Sequence, residues 1–470
     1  MNIRKMIQSI SKPKYFLIIL LSAIWLHLDS HVYTVFGSLE KNYYLSIYDL
    51  RLFLMSLFSI LRLFIPYIIF LIFSFYFYNY LSLKTNNKHL NIVIGLLVIN
   101  FAIQSISLLV YQENVFNNFS LIFLTLMSLT LFTVQYNQNY SQKTFIISLL
   151  LLFAILLWFG SIMAIWYFTE YNETANLYGG WPDQFIIIKD LNQNIPRSSG
   201  IARSSLVLLI PLSLSFLAKK IKFYKLRYCI YLYLFFLIGT TQSRIILFSL
   251  FLFEITMIIY IVSFNKKLLD IFKKIITICV IPLIFYIGTV TIKINLLKKS
   301  KYLPNIVQTI HKGSLTSDEN LKTEDKILKI IRTVDSSSFT SSRYQDWQKI
   351  LEKNTNIIFG NGIMGDRWII KQSASNLLLY NYTSSGIIGL ILFILVMTRS
   401  LFINFIILFF REKKVNSKNY ILLSASYIQF ALMGRSLVET SFAVYGIDFL
   451  IFFSAYFFTE HYYINQKLKK

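Results

Sequence analysis

Apolar stretches of about twenty residues follow one another from end to end of the chain, each long enough to cross a lipid hydrocarbon core as a helix. A backbone in lipid must satisfy its own N–H and C=O groups, so these stretches are read as helices. Composition agrees: 56% of residues are hydrophobic, 14% are charged, and mean hydropathy is +0.57. The expected fold is an all-α polytopic integral membrane protein, one membrane domain over 1–470, with about 12 transmembrane helices. The spans are predicted at roughly 14–35, 54–80, 90–111, 117–136, 144–168, 201–218, 227–243, 245–264, 275–293, 386–410, 419–435 and 441–460.

A net charge of +24 would suggest nucleic acid in a soluble protein. Here the excess has a topological use. Counting spans alternately puts both termini on one side with the loops holding Lys84 and Lys88, Lys143, Lys219 to Arg227, Lys266 to Lys274, and Arg411 to Lys418. The opposite loops carry Asp29, Glu40, Asp49, Glu113, Glu170, Glu173, Asp183 and Asp190. The lysine-rich side is therefore read as cytoplasmic, with no nucleic-acid partner expected. The N-terminal apolar run ends in Leu26-His27-Leu28-Asp29, not in small residues, and is read as an uncleaved first span. Cys229 and Cys279 both fall in predicted helices, and no structural disulfide is expected. Abundant Ile, Phe, Tyr, Asn and Lys with little Gly and Pro points to an AT-rich bacterial genome.

Two loops on the outer side break the rhythm of short connections, at 169–200 and 294–375. The second is expected to hold short helices at 318–331 and 342–353, the latter ended by Asn354 and the FGNG turn. So long a loop in a chain otherwise stripped of loops is expected to be functional. Next comes an apolar run too long for one span. A short amphipathic or re-entrant helix at 375–382 is predicted to lead to Gly386, where the true span begins.

Several arginines stand at the outer mouths of these helices, although each costs at least ~2.5–3.5 kcal/mol near the bilayer core. Arg197, after Pro196, opens Arg-Ser-Ser-Gly at a helix start, so its guanidinium and the free N–H groups around Gly200 suit a phosphate. Arg203 lies further in, beside Ser204 and Ser205, and Arg244 follows Thr241-Gln242-Ser243 in a tight turn. Arg343 and Arg367 belong to the large loop, Arg343 sharing a helix face with Trp347 and Arg367 following Gly360-Asn361-Gly362, Gly365 and Asp366. The alternative for each arginine is snorkelling or pairing with an acid; Asp366 and Arg367 would then be a solvated pair. The glycines of the turn are a weak pattern for a phosphate cradle. Gly386 and Gly389 are read as close helix packing, and Arg435 with Glu439 as a pair on one helix. No metal-ligand spacing, Ser-His-Asp order or P-loop is present, and no metal or cofactor is expected.

The ordered set RSSG (197–200), TQSR (241–244), SSR with Trp347 and FGNG (341–362), and SN with SSGIIG (375–389) resembles the O-antigen ligase and polymerase superfamily. The terminal turn RSLVETSFA (435–443) is similar to endings in that family. The resemblance implies a metal-independent glycosyltransferase of the bacterial inner membrane whose active site faces the periplasm. Its donor would be an undecaprenyl-pyrophosphate-linked glycan, and its acceptor another lipid-linked repeat (polymerase) or lipid A–core (ligase). A chain-length regulator is a possible partner, alongside membrane lipids. Arg197 and Arg244 match the family's pyrophosphate arginines best, with Arg343 and Arg367 as weaker carry-overs; Gly200, Arg203, Ser375 and Asn376 are read beside them as substrate-binding positions. The ligases have a His-Asn pair where this chain has Ser375-Asn376, which favours the polymerase. Glu439, Glu170, Glu173, Asp183 and His311 are candidates for the base, Glu439 being the one assigned to catalysis. A transporter of lipid-linked sugars is the rival from another class.

Overall fold

The structure, a computed structural model, describes residues 88–111, 122, 138–165, 187–188, 193–194, 198–218, 223–241, 244–264, 268–299, 343–370, 374, 376–411, 415–416, 419–437 and 447–467. The spans expected at 14–35 and 54–80, the helix at 318–331, and the span at 117–136 apart from residue 122 lie outside the described residues. What is described is helical, with one addition to the all-α expectation. A two-residue antiparallel ladder joins β1 (Ile187–Ile188) to β2 (Gln193–Asn194) in the first long loop. Four segments, His89–Tyr111, Ile246–Ser263, Leu268–Ile292 and Leu377–Arg411, are long and apolar enough to cross a membrane. That is the character of a membrane protein.

The chain groups into two compact units. The first comprises Met1–Leu151, Ser342–Lys413 and Ile421–Lys470, the second Leu152–Ser341 and Lys414–Tyr420.

In the first unit, helix α1 (Lys88–Tyr111) has the pattern that lipid imposes. Its outer face is apolar, with Ile92, Ile106 and Val110 exposed by 59%, 62% and 67%. Its buried face holds the polar residues Asn100, Gln104 and Ser107. Helix α2 (Gln138–Ile165) begins in this unit, where Phe145 stacks on Phe458.

Unit two is built on a helical hairpin, α3 (Ser198–Leu217) and α4 (Tyr224–Thr241). Its closed end is fixed by Arg227, which donates to the carbonyl of Ser215 at 3.1 Å and to its hydroxyl at 2.7 Å and lies over the Phe216 ring. Further along, Ser213 donates to the Tyr231 hydroxyl at 3.1 Å. Helix α5 (Arg244–Phe264) follows, then α6 (Leu268–Ile275), a π segment (Ile276–Val280) and α7 (Ile281–Lys299) without a break. The lysine-bearing loop expected near 266–274 is therefore largely helix. Carbonyls of the π segment accept from outside it: Tyr228 donates to Thr277 at 3.1 Å and Tyr231 to Ile278 at 3.0 Å. Gly239 lets α4 and α7 approach, since a Cβ there would meet the Thr289 side chain at 3.1 Å.

The remaining helices belong to the first unit: α8 (Arg343–Lys353), α9 (Gly365–Ile370), α10 (Leu377–Phe405, prolonged by a π segment to Arg411), α11 (Tyr420–Ser436, of which Tyr420 falls in the other unit) and α12 (Ile447–Lys467). Every residue of α12 from Leu450 to His461 is buried, so this is the central helix. Its buried polar side chains find partners on neighbouring helices. Ser454 meets Ser148 at 3.4 Å, Thr459 accepts from Gln429 at 3.2 Å, and Glu460 binds Arg399 at 2.8 Å. Gln429 also accepts from Ser400 at 2.6 Å, tying α10, α11 and α12 together.

Candidate functional sites at helix ends

The α3–α4 hairpin fixes where two of the arginine motifs fall. Its cross-pairs run antiparallel, Ser215 with Arg227 and Ser213 with Tyr231. The start of α3 thus comes level with the end of α4, and α5 starts only three residues past Thr241, at Arg244. Two helix N-termini, those of α3 and α5, lie at the same end of this unit. Each leaves backbone N–H groups without an intrahelical partner. Gly200 is in the first turn of α3. Arg203 is one turn further in, half-buried with its Nε shielded from solvent, and beside it Ser204 and Ser205 are buried. Arg244 is the first residue of α5. Arg197, the residue before Ser198, lies outside the described residues.

A second constellation lies in the first unit, around the start of α10. Asn376 caps that helix: its Oδ1 accepts from the N–H groups of Leu378 and Leu379 at 2.9 and 3.0 Å, and its Nδ2 donates to the carbonyl of Leu437 at 2.8 Å. Ten residues on, α10 breaks at Gly386 (φ 64°, ψ −164°), where the sequence placed the start of the true span. The break strands backbone groups that the FGNG turn satisfies. Asn361 and Gly362 donate their N–H groups to the carbonyls of Thr383 and Ser384 at 2.7 and 3.0 Å, and Ile387 donates to Ile357 at 2.8 Å. Backbone on backbone leaves no room for Cβ atoms. One at Gly360 would lie 2.5 Å from the Ser385 nitrogen, and one at Gly386 would run into the Ile358 carbonyl. The glycines therefore serve this docking. The N–H groups a phosphate would need are already committed.

Asp366 corrects the solvated-pair alternative. It is 1% exposed, and its carboxylate accepts from the N–H groups of Arg367 at 2.9 Å and Ala374 at 2.7 Å. Burial pushes the carboxyl above its ordinary range, while these donors and the nearby Arg367 charge pull the other way. Ala374 is held from the other side too, accepting from the Trp347 indole at 2.7 Å. Trp368 donates to the carbonyl of Ile363 at 3.0 Å. Both indole N–H groups are spent on the loop's own carbonyls, whereas Tyr344 is exposed. Arg367 is half-buried, with Nη1 3.6 Å from the Met364 sulfur.

The structure thus brings Asp366, Arg367 and Asn376 together around Ala374, and in the other unit places Gly200, Arg203 and the start of α5 at the same end. Arg343 opens α8, while Ser375 and Glu439 lie outside the described residues. Arg435 binds Asp448 of α12 at 3.3 Å, both buried, while its expected partner Glu439 is among those undescribed residues. Sequence reasoning missed Tyr380 and Ser384, which accept from the N–H groups of Met364 and Gly365, each at 3.2 Å. The one available signal was their place in a polar run inside an apolar stretch. No family model, curated protein or solved structure matches the chain.

Proposed function

We propose that the chain is a metal-independent glycosyltransferase of a bacterial inner membrane, spanning it about twelve times with both termini cytoplasmic and its site at the periplasmic face. It moves a glycan from undecaprenyl pyrophosphate onto a second lipid-linked repeat unit, as an O-antigen-type polymerase does. The observation that carries this reading is the shared end of α3 and α5. Two helix N-termini open there, with Arg203 half-buried beside one and Arg244 heading the other. A diphosphate leaving group needs its developing charge stabilised, and fixed guanidinium groups with free N–H donors supply that. Arg197, directly before α3, completes the clamp. The large loop at 294–375 covers the sugars.

Two other readings remain, a ligase using lipid A–core as acceptor and a transporter of lipid-linked sugars. The broken helix α10 favours the transporter, because interrupted spans line substrate paths in such proteins. One experiment separates all three. Purified protein in detergent is given an undecaprenyl-pyrophosphate-linked repeat, with and without lipid A–core. Elongated lipid-linked chains support the polymerase, and transfer only to lipid A–core supports the ligase. No reaction in either mixture, with translocation in proteoliposomes, supports the transporter.

A further inference from the structure

Glu254 lies about ten residues into α5, or ~15 Å from its start at helical rise, and a similar distance from its end. It shares a face with the buried residues Leu250, Met257 and Ile261, inside the segment Ile246–Ser263 that is apolar enough to cross a membrane. Both of its carboxylate oxygens are shielded from solvent, and among the described residues the one donor set against them is the weak Cys279 thiol. The elements packed around α5 set two groups against it, the Cys279 thiol of the π segment and the Tyr231 phenol of α4. Neither is a cation. Tyr231 already donates to the carbonyl of Ile278. The charged residues of α3, α4, α6 and α7 are Arg203, Lys225, Arg227, Asp270, Lys273, Lys274, Lys293, Lys298 and Lys299, and none with a described side chain is set against the carboxyl.

A carboxylate sealed from water at this depth, with only a thiol as donor and no counter-charge set against it among the described residues, is far costlier than the neutral acid. We propose that Glu254 is a proton-binding site at membrane depth, a carboxylic acid that keeps its proton at neutral pH and faces Cys279 across the α5–π contact. The unwinding at Ile276–Val280 fits this, since π turns inside helices recur at functional positions. A bound monovalent metal cation would neutralise the same group, and the test separates the two. The inference stands apart from the glycosyltransferase reading.

The full-length protein in detergent gives the test by infrared spectroscopy. The carbonyl stretch of a protonated carboxyl is expected at neutral pH with sodium present, shifting in deuterium oxide and lost in Glu254→Gln. Cys279→Ala is expected to move the frequency of that band without removing it. Dicyclohexylcarbodiimide, which adds to protonated carboxyls in apolar surroundings, gives the second readout. An adduct on the peptide holding Glu254, falling as pH rises and unaffected by sodium, supports the proposal. Identical infrared spectra for wild type and Glu254→Gln, or loss of the band and the adduct on adding sodium, would overturn it.

Discussion

Ile387 donates its backbone N–H to the carbonyl of Ile357 at 2.8 Å, and this bond spans the point where α10 breaks. The preceding residue, Gly386, has a φ of 64° and ψ of −164°, a combination essentially confined to glycine. Loop and broken helix thus stabilise each other: the break exposes backbone groups, and the loop satisfies them.

Gly386→Ala is expected to destabilise the protein by about 3 kcal/mol or more, from backbone strain and collision with the Ile358 carbonyl together. Gly95→Ala, where a Cβ meets nothing within 4 Å, is the control and should be neutral or slightly stabilising. Thermal unfolding in detergent checks both. Equal melting of Gly386→Ala and wild type would contradict the docking account.

Part of this was legible beforehand. The starts of α3, α5 and α8 follow from Pro196, the Thr241-Gln242-Ser243 turn and the Ser-rich run before Arg343, all local signals. Gly386 announced itself as a glycine inside an overlong apolar run. The inward faces did not. In α1 the buried Leu90 and the exposed Ile92 are chemically alike, so apolar periodicity cannot tell lipid from core. Nor do partners far apart in sequence leave a local trace, as with Arg435 and Asp448 or Asp366 and Ala374.

Asp366 gives a pH prediction. Its carboxyl is raised by burial in the folded state, so the neutral form is favoured there. The stability it contributes is full below the ordinary carboxylate value of ~3.9 and is lost as pH rises through the folded value. Melting temperature should fall with pH across that window. In Asp366→Asn this slope should be absent, with an offset of about 1–2 kcal/mol because an amide cannot accept from both Arg367 and Ala374. A slope unchanged in the variant would refute the assignment.

Arg399 and Glu460 pair at 2.8 Å, the acid fully buried and the arginine 27% exposed. Arg399→Ala should cost about 3 kcal/mol or more, because the buried Glu460 loses its partner. Arg399→Leu with Glu460→Leu together should recover most of that loss. Denaturant unfolding of the single and double variants checks this, and a double variant no more stable than Arg399→Ala would contradict it.

Asn376→Ala removes the α10 cap and the bond to Leu437, and should cost about 1–2 kcal/mol. Asn376→Asp keeps the capping oxygens and should recover the cap alone. Chemical unfolding distinguishes them.

The most direct test of the arginine clamp is pyrophosphate-linked glycan turnover by purified full-length protein, comparing Arg197→Ala, Arg203→Ala and Arg244→Ala with Arg411→Ala, whose guanidinium donates to the Tyr463 carbonyl at 3.3 Å. The account predicts that Arg197→Ala and Arg244→Ala lose at least about 100-fold in rate, Arg203→Ala loses less, and Arg411→Ala keeps wild-type turnover. Wild-type chain elongation by both Arg197→Ala and Arg244→Ala would contradict it.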